Sequence, residues 1–226
     1  MESYLHRFVL AGGVMMVFLL PCSVVAVALI FHGLIDLRRE RVMPSRVDSD
    51  FRDAGDPSAR DGLREKLRNR SESPLARVCL RLLPWVGMHG ETWDLTVQQV
   101  TSEEIAPLYQ RHGYLAVVYG VAPLMGLLGT ILGMISTFYE FSAPGSAQSV
   151  AELSKGINEA LVTTMWGLMI AVPAYLFLSL FRQKLYRYEN DLIPARVREL
   201  FATLPPATQP PKGQSAPDKS SGDVRR

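Results

Sequence analysis

Thr130 and Thr137 sit in GLLGTILGMISTF, residues 126–138, and Thr163 and Thr164 close the run NEALVTT, residues 158–164. Hydroxyls set into an apolar run can hydrogen-bond water or a carboxyl group, but they do not titrate near neutral pH. Glu159, at the start of the second run, does. The chemistry on offer is hydrogen bonding and proton handling. Nothing else in the chain adds to it. There is no HExxH, CxxC, GxSxG or phosphate-loop pattern, so a soluble enzyme is a poor reading. His6, His32, His89 and His112 are scattered without ligand spacing, and Cys22 and Cys79 imply no disulfide framework. No metal and no cofactor are therefore expected. A net charge of +2, with the basic residues beside apolar runs, gives no reason to invoke nucleic acid.

The elements that position these residues follow from how charge is distributed. Phe8 to Phe31, Tyr114 to Tyr139 and Ala160 to Phe181 contain no Asp, Glu, Lys, Arg or His over 24, 26 and 22 residues. As helices at about 1.5 Å per residue each would cross a hydrocarbon core of about 30 Å. The chain reads as an all-α integral membrane protein with transmembrane helices at 8–31, 114–139 and 160–181. The AxA-like Ala26, Val27 and Ala28 offer a signal-peptide alternative for the first. The leader MESYLHR lacks a positive start, and the apolar run exceeds a signal core, so a retained helix is expected.

The loop from His32 to Gly113 carries 13 Lys/Arg, including Arg38, Arg39 and Arg41 just after the first span. The tail from Arg182 carries nine, whereas the connector 140–159 has only Lys155. Basic residues mark the cytoplasmic side. The 32–113 loop and the tail are thus expected in the cytoplasm, and residues 1–7 and the connector on the periplasmic side. Within the loop, residues 44–62 read as a flexible linker. Ser73 and Pro74 open a helix whose stripe of Leu75, Val78, Cys79, Leu82 and Leu83 ends at Pro84. Thr101 and Glu104 have capping-box spacing, which predicts a helix start there. Trp85 and Trp93 read as packing or interface residues. A cytoplasmic helical extension is expected over 182–204, and 205–226 reads as a disordered tail.

At about 100° per residue, Ala122, Gly126, Gly129, Thr130, Gly133 and Thr137 fall within one arc of about 100°. Gly156, Ala160, Thr163, Thr164, Gly167, Ala171 and Ala174 form a second such stripe on the third span. Small residues let helix backbones approach closely in lipid, where packing and interhelical hydrogen bonds drive association. The glycines and alanines read as helix-packing positions. The threonines fit either packing or a polar path, since a Thr hydroxyl can also bond its own helix. Glu159 fits either a helix-start carboxylate meeting water or a proton-entry group.

These stretches resemble the ExbB/TolQ/MotA proton-channel subunits of bacterial inner membranes. The resemblance rests on VAPLMGLLGTILGMISTF (121–138) and KGINEALVTTMWGLMIAVPA (155–174). Three spans with a large loop between the first two look like ExbB or TolQ rather than the four-span MotA. The resemblance implies a ring of identical subunits, a pentamer, enclosing single-span ExbD/TolR-like helices. The partner's membrane Asp would carry the proton and energise an outer-membrane process through a TonB- or TolA-like protein. By position, Thr130 and Thr164 match pore-facing threonines, Glu159 the acidic residue near the non-cytoplasmic end, and Pro173 the proline of the third helix. Met165 and Trp166 depart from the family's small residues.

Physical chemistry points the same way in one respect. A charged group at mid-membrane costs several kcal/mol and survives only with a function. The three spans hold none, so a proton path needs an acid from a partner, housed in a lumen that the two small-residue stripes jointly line. A non-conducting membrane scaffold shares the packing argument without an ion. A secondary-transporter subunit would show inverted repeats and interrupted helices, which three spans hardly provide.

Overall fold

A computed structural model describes residues 15–52, 54, 60–87, 90–142 and 150–204. Among the described residues every regular element is helical: α1 (Met16–Asp36), α2 (Arg39–Val42), α3 (Arg46–Arg52), α4 (Arg60–Asn69), α5 (Pro74–Leu82), α6 (Glu91–Ser142), α7 (Val150–Arg187) and α8 (Ile193–Ala202). A 3-10 turn, Leu83–Trp85, follows α5, and a π-helical turn, Tyr188–Leu192, lies between α7 and α8. Three helical stretches, Met16–Asp36, Glu91–Ser142 and Leu153–Ala202, are long and apolar enough to cross a membrane. The fold is that of an all-α, multi-pass membrane protein.

The chain divides into two compact units, Met1–Arg38 with Ala106–Tyr186, and Arg39–Ile105 with Arg187–Arg226. The first contains α1 and the 106–142 and 150–186 parts of α6 and α7. Its helices follow from uninterrupted apolar sequence, and each carries an internal proline in the apolar stretch, Pro21, Pro123 and Pro173. Large apolar side chains such as Phe31, Leu124, Ile135, Leu161 and Val172 point outward, as they do when the surroundings are hydrocarbon or a neighbouring helix. Residues 8–14 of the first expected span lie outside the described residues. So do the expected N-terminus 1–7 and tail 205–226.

The second unit has a water-type core of large apolar side chains. The Phe201 ring lies 5.2 Å from Trp93 and 5.7 Å from Phe51, and Val47, Leu63, Leu67, Val97 and Val197 of the same unit are fully buried. In α5, Ser73 accepts a hydrogen bond from the Ala76 N–H at 3.1 Å and Pro74 opens the helix. Leu75, Val78, Cys79 and Leu82 are buried as the stripe predicts; Leu83 instead falls in the 3-10 turn. Burial pushes the Cys79 thiol far above its ordinary value, so it stays protonated.

Two local expectations fail. The capping-box start at Thr101 is not used, because α6 begins ten residues earlier, at Glu91, after Gly90 turns the chain at φ +87°. Thr101 sits fully buried inside the helix, and Glu104 reaches Arg77 at 2.6 Å instead of returning to the Thr101 backbone. Part of the 44–62 linker is helix α3, because Val47 and Phe51, one turn apart, bury a common apolar edge. Asp48 pairs with Arg196, and Asp50 with Arg70 at 3.1 Å. Between α7 and α8 the widened π turn has a simple cause: Pro194 has no N–H to return to the preceding turn.

Candidate functional site

Inside the first unit the two small-residue stripes face each other. Cβ positions built on the glycines show how close the backbones come. One on Gly167 would lie 2.6 Å from the Ala122 carbonyl oxygen, and one on Gly126 3.0 Å from both the Thr163 oxygen and the Thr164 Cα. On Gly129 it would meet Thr163 Oγ1 at 2.7 Å, on Gly133 Ala160 Cβ at 3.1 Å, and on Gly156 it would collide with Thr137. The order is antiparallel, running from Ala122 opposite Gly167 to Thr137 opposite Gly156. Contact at this spacing needs hydrogen in place of a side chain, which is why weak helix formers recur in so apolar a segment.

Four hydroxyls lie along this seam. Thr130 donates to the Leu127 carbonyl at 2.7 Å and Thr137 to Gly133 at 2.7 Å, both on their own helix. Thr163 donates to the Ala160 carbonyl at 2.6 Å. Thr164 crosses the seam, donating to the Gly126 carbonyl at 3.1 Å, and the Thr163 hydroxyl lies 3.4 Å from that same oxygen. Gly126 thus serves the seam twice, by the side chain it lacks and by its carbonyl. Thr163 is 2% exposed and Thr130 9%; Thr164 and Thr137 are half-buried.

The other expected positions scatter around the seam. Ala160 and Ala171 are buried and Ala174 fully so. Glu159 is half-buried, five residues or about 7.5 Å along the helix before Thr164. Pro173 is exposed. Met165 points outward, and Trp166 is half-buried with its indole N–H buried and unbonded among the described residues. The opposition of the stripes within one chain is what the sequence alone did not supply, since helical angles place residues on a face without saying what that face meets. A second polar group, His32, Asp36 and His112, lies far from the seam threonines along α1 and α6. In the sequence His32 and His112 read only as scattered histidines, because His112 is distant there from the His32–Asp36 pair.

Comparison with known proteins agrees with this architecture. The family model described as the MotA/TolQ/ExbB proton channel family matches residues 60–192. The chain is 34% identical over 197 residues to a protein named "Putative biopolymer transport protein ExbB-like 3" from Synechocystis sp., covering 84% of this chain and 90% of that one. It is 31% identical over 171 residues to "Putative biopolymer transport protein ExbB-like 1" of the same organism, with 74% and 66% covered. To "Biopolymer transport protein ExbB" from Xanthomonas campestris pv. campestris it is 28% identical over 152 residues, covering 60% of this chain and 59% of the other. The chain spans most of the first relative's length and under two thirds of the other two. The match runs from α4 through the whole glycine–threonine seam into the π turn, and on that ground the chain belongs to the MotA/TolQ/ExbB proton channel family.

Proposed function

We propose that this chain is the channel and stator subunit of an ExbB/TolQ-like energy-transducing complex of the bacterial inner membrane. In this reading it spans the membrane at 8–31, 114–139 and 160–181, with N-terminus and connector periplasmic and with the 32–113 loop and tail cytoplasmic. Copies of the chain form a ring, a pentamer by family analogy, around an ExbD/TolR-like helix. The proton-motive force then drives outer-membrane transport or envelope maintenance through a TonB- or TolA-like protein.

The observation that carries the reading is a pairing of supply and lack. The spans hold no Asp, Glu, Lys, Arg or His, while Thr164 spends its hydroxyl proton on Gly126 and Thr130 spends its own on Leu127. A hydroxyl that has donated still has lone pairs to accept with. Such oxygens favour a protonated carboxyl over a carboxylate, which suits them to receive a partner's Asp in its neutral form as it crosses. Thr163 and Thr137 support the same wall, and Glu159 stands where protons enter from the periplasmic side. Gly126, Gly129, Gly133, Gly156, Ala160, Gly167 and Ala171 hold the wall together, and Pro173 shapes the lower half of α7.

The test is proton-driven activity of the chain co-assembled with its one-span partner. Thr130→Ala with Thr164→Ala is expected to lower activity at least about tenfold with insertion and native mass intact, since a hydroxyl contact in a membrane contributes only about 0.6–2 kcal/mol to assembly. Full activity in the double variant removes both from the pathway, and unchanged activity in Glu159→Gln does the same for Glu159. One observation favours the scaffold alternative: each seam hydroxyl is already satisfied by a carbonyl of this chain. Absence of proton flux through the intact assembly would decide for it.

A further inference from the structure

Three helices of the first unit meet at a point that the seam does not use. On α1, His32 Nε2 lies 3.0 Å from Asp36 Oδ2, one turn apart. His32 is 59% exposed, whereas Asp36 is only 9% exposed. From α6 comes His112, 5% exposed, with Nε2 buried and without a hydrogen bond among the described residues. From α7 the Phe181 ring packs against the imidazole at 5.2 Å between centroids. Gly33, between the two polar residues of α1, gives that ring its room, since a Cβ there would collide with Phe181.

A buried imidazole is ordinarily bonded at its polar atoms. His112 Nε2 is not bonded among the described residues, so neutrality is what lets it stay. It lies two residues before the apolar span that opens at Tyr114, outside the spanning segment. Burial is the largest influence and lowers its proton affinity below the ordinary histidine value; the Asp36 charge raises it, and His32 and Arg111 lower it. Those are the charged groups acting on it from α1 and α6. From α7 the Phe181 ring faces it. A proton arriving at His112 creates a second N–H donor, and the anion whose charge favours it is Asp36, already engaged by His32.

We propose that His112, Asp36 and His32 form an internal proton-binding site at the large-loop end of the three-helix unit, and that its occupancy throttles the proton-driven work of the assembly. The throttling half rests on the proton-channel reading above; the binding half does not. The sign follows from linkage. A neutral buried histidine with lowered affinity contributes stability above its unfolded-state value of about 6.5, and that contribution is lost as pH falls from there through the folded-state value. Acidification of the compartment on this side therefore loosens the α1–α6–α7 junction. A channel that delivers protons to that compartment is slowed as they accumulate.

The binding half is read from imidazole NMR of the full chain in lipid nanodiscs, with His112→Gln assigning the resonance. The expected midpoint lies below the ordinary histidine value and falls further in Asp36→Asn, where the favouring anion is gone. A midpoint at the ordinary value, or one that Asp36→Asn does not move, overturns the site. Asp36→Asn carries the test by itself should His112→Gln fail to insert. The throttle is read from proton flux of the chain with its one-span partner in liposomes, as loop-side pH is stepped from about 7.5 to about 5.5. Flux is expected to fall several-fold in the native assembly and to stay within about twofold in His112→Gln, with equal flux at the upper pH. Equal falls in both proteins overturn the throttle. Absence of flux at every pH, in the native assembly too, sinks the channel reading and with it the throttle, and the NMR midpoint then decides the binding site.

Discussion

The α6–α7 seam and the core around Phe201 solve the same problem with opposite materials. In the second unit, Phe201, Trp93, Phe51 and a surround of Leu and Val fill space, and Arg–carboxylate pairs such as Arg77–Glu104 and Arg198–Asp94 close the edges. Water drives that arrangement, so volume is what stabilises it. In the seam, Gly126, Gly129, Gly133, Gly156 and Gly167 remove volume until backbone touches backbone, and the large side chains are turned outward. Where the surroundings are as apolar as Leu, nothing is gained by hiding Leu, and proximity with a few hydrogen bonds does the holding. One chain thus carries two packing rules, switched by the solvent each part meets.

That contrast can be broken at its large-volume end first. Phe201→Ala should cost about 3–5 kcal/mol, because it empties the centre on which Trp93 and Phe51 converge. Denaturant unfolding followed by Trp fluorescence reads it, and a cost under about 1 kcal/mol would mean the second unit is not organised on that ring. At the seam the opposite change does the harm. Gly167→Ala adds one methyl against the Ala122 carbonyl, 2.6 Å away, and should cost about 1–3 kcal/mol by overpacking; thermal stability in detergent measures it, and a neutral result means the two helices do not approach as described. The smallest effect sharpens the comparison by reversing it. Gly120 lies on the same α6 with nothing within 4 Å of an added Cβ, so Gly120→Ala should be neutral or stabilise by up to about 1 kcal/mol. Similar losses for Gly120→Ala and Gly167→Ala would show that helix propensity, and not contact, governs the glycines.

Much of this could be read in the chain. Charge-free runs announce membrane helices because a bilayer tolerates few alternatives, and Gly and Ala recurring on one helical arc announce close approach. Ser73–Pro74 and its stripe were equally plain, since cap, first-turn proline and periodicity agree. What could not be read depends on partners distant in sequence. Thr101 and Glu104 have the spacing of a helix start, but Arg77 takes the Glu104 carboxylate, and a left-handed Gly90 had already opened the helix. Val47 and Phe51 look like linker until Phe201 comes to meet Phe51. His112 looks solitary until α1 brings Asp36 within its field. The register that sets Gly126 against Thr163 and Thr164 is likewise a property of two helices together.

That register has a mechanical corollary. Each of five successive levels from Ala122–Gly167 to Thr137–Gly156 sets a glycine gap against a filler on the facing helix, so a slip of one residue would bring Leu161 or Leu168 toward positions with no room for them. The two rods are keyed like a blade in its lock and can tilt or travel only together. Any motion within this unit must then be taken up by a neighbour that is not so toothed.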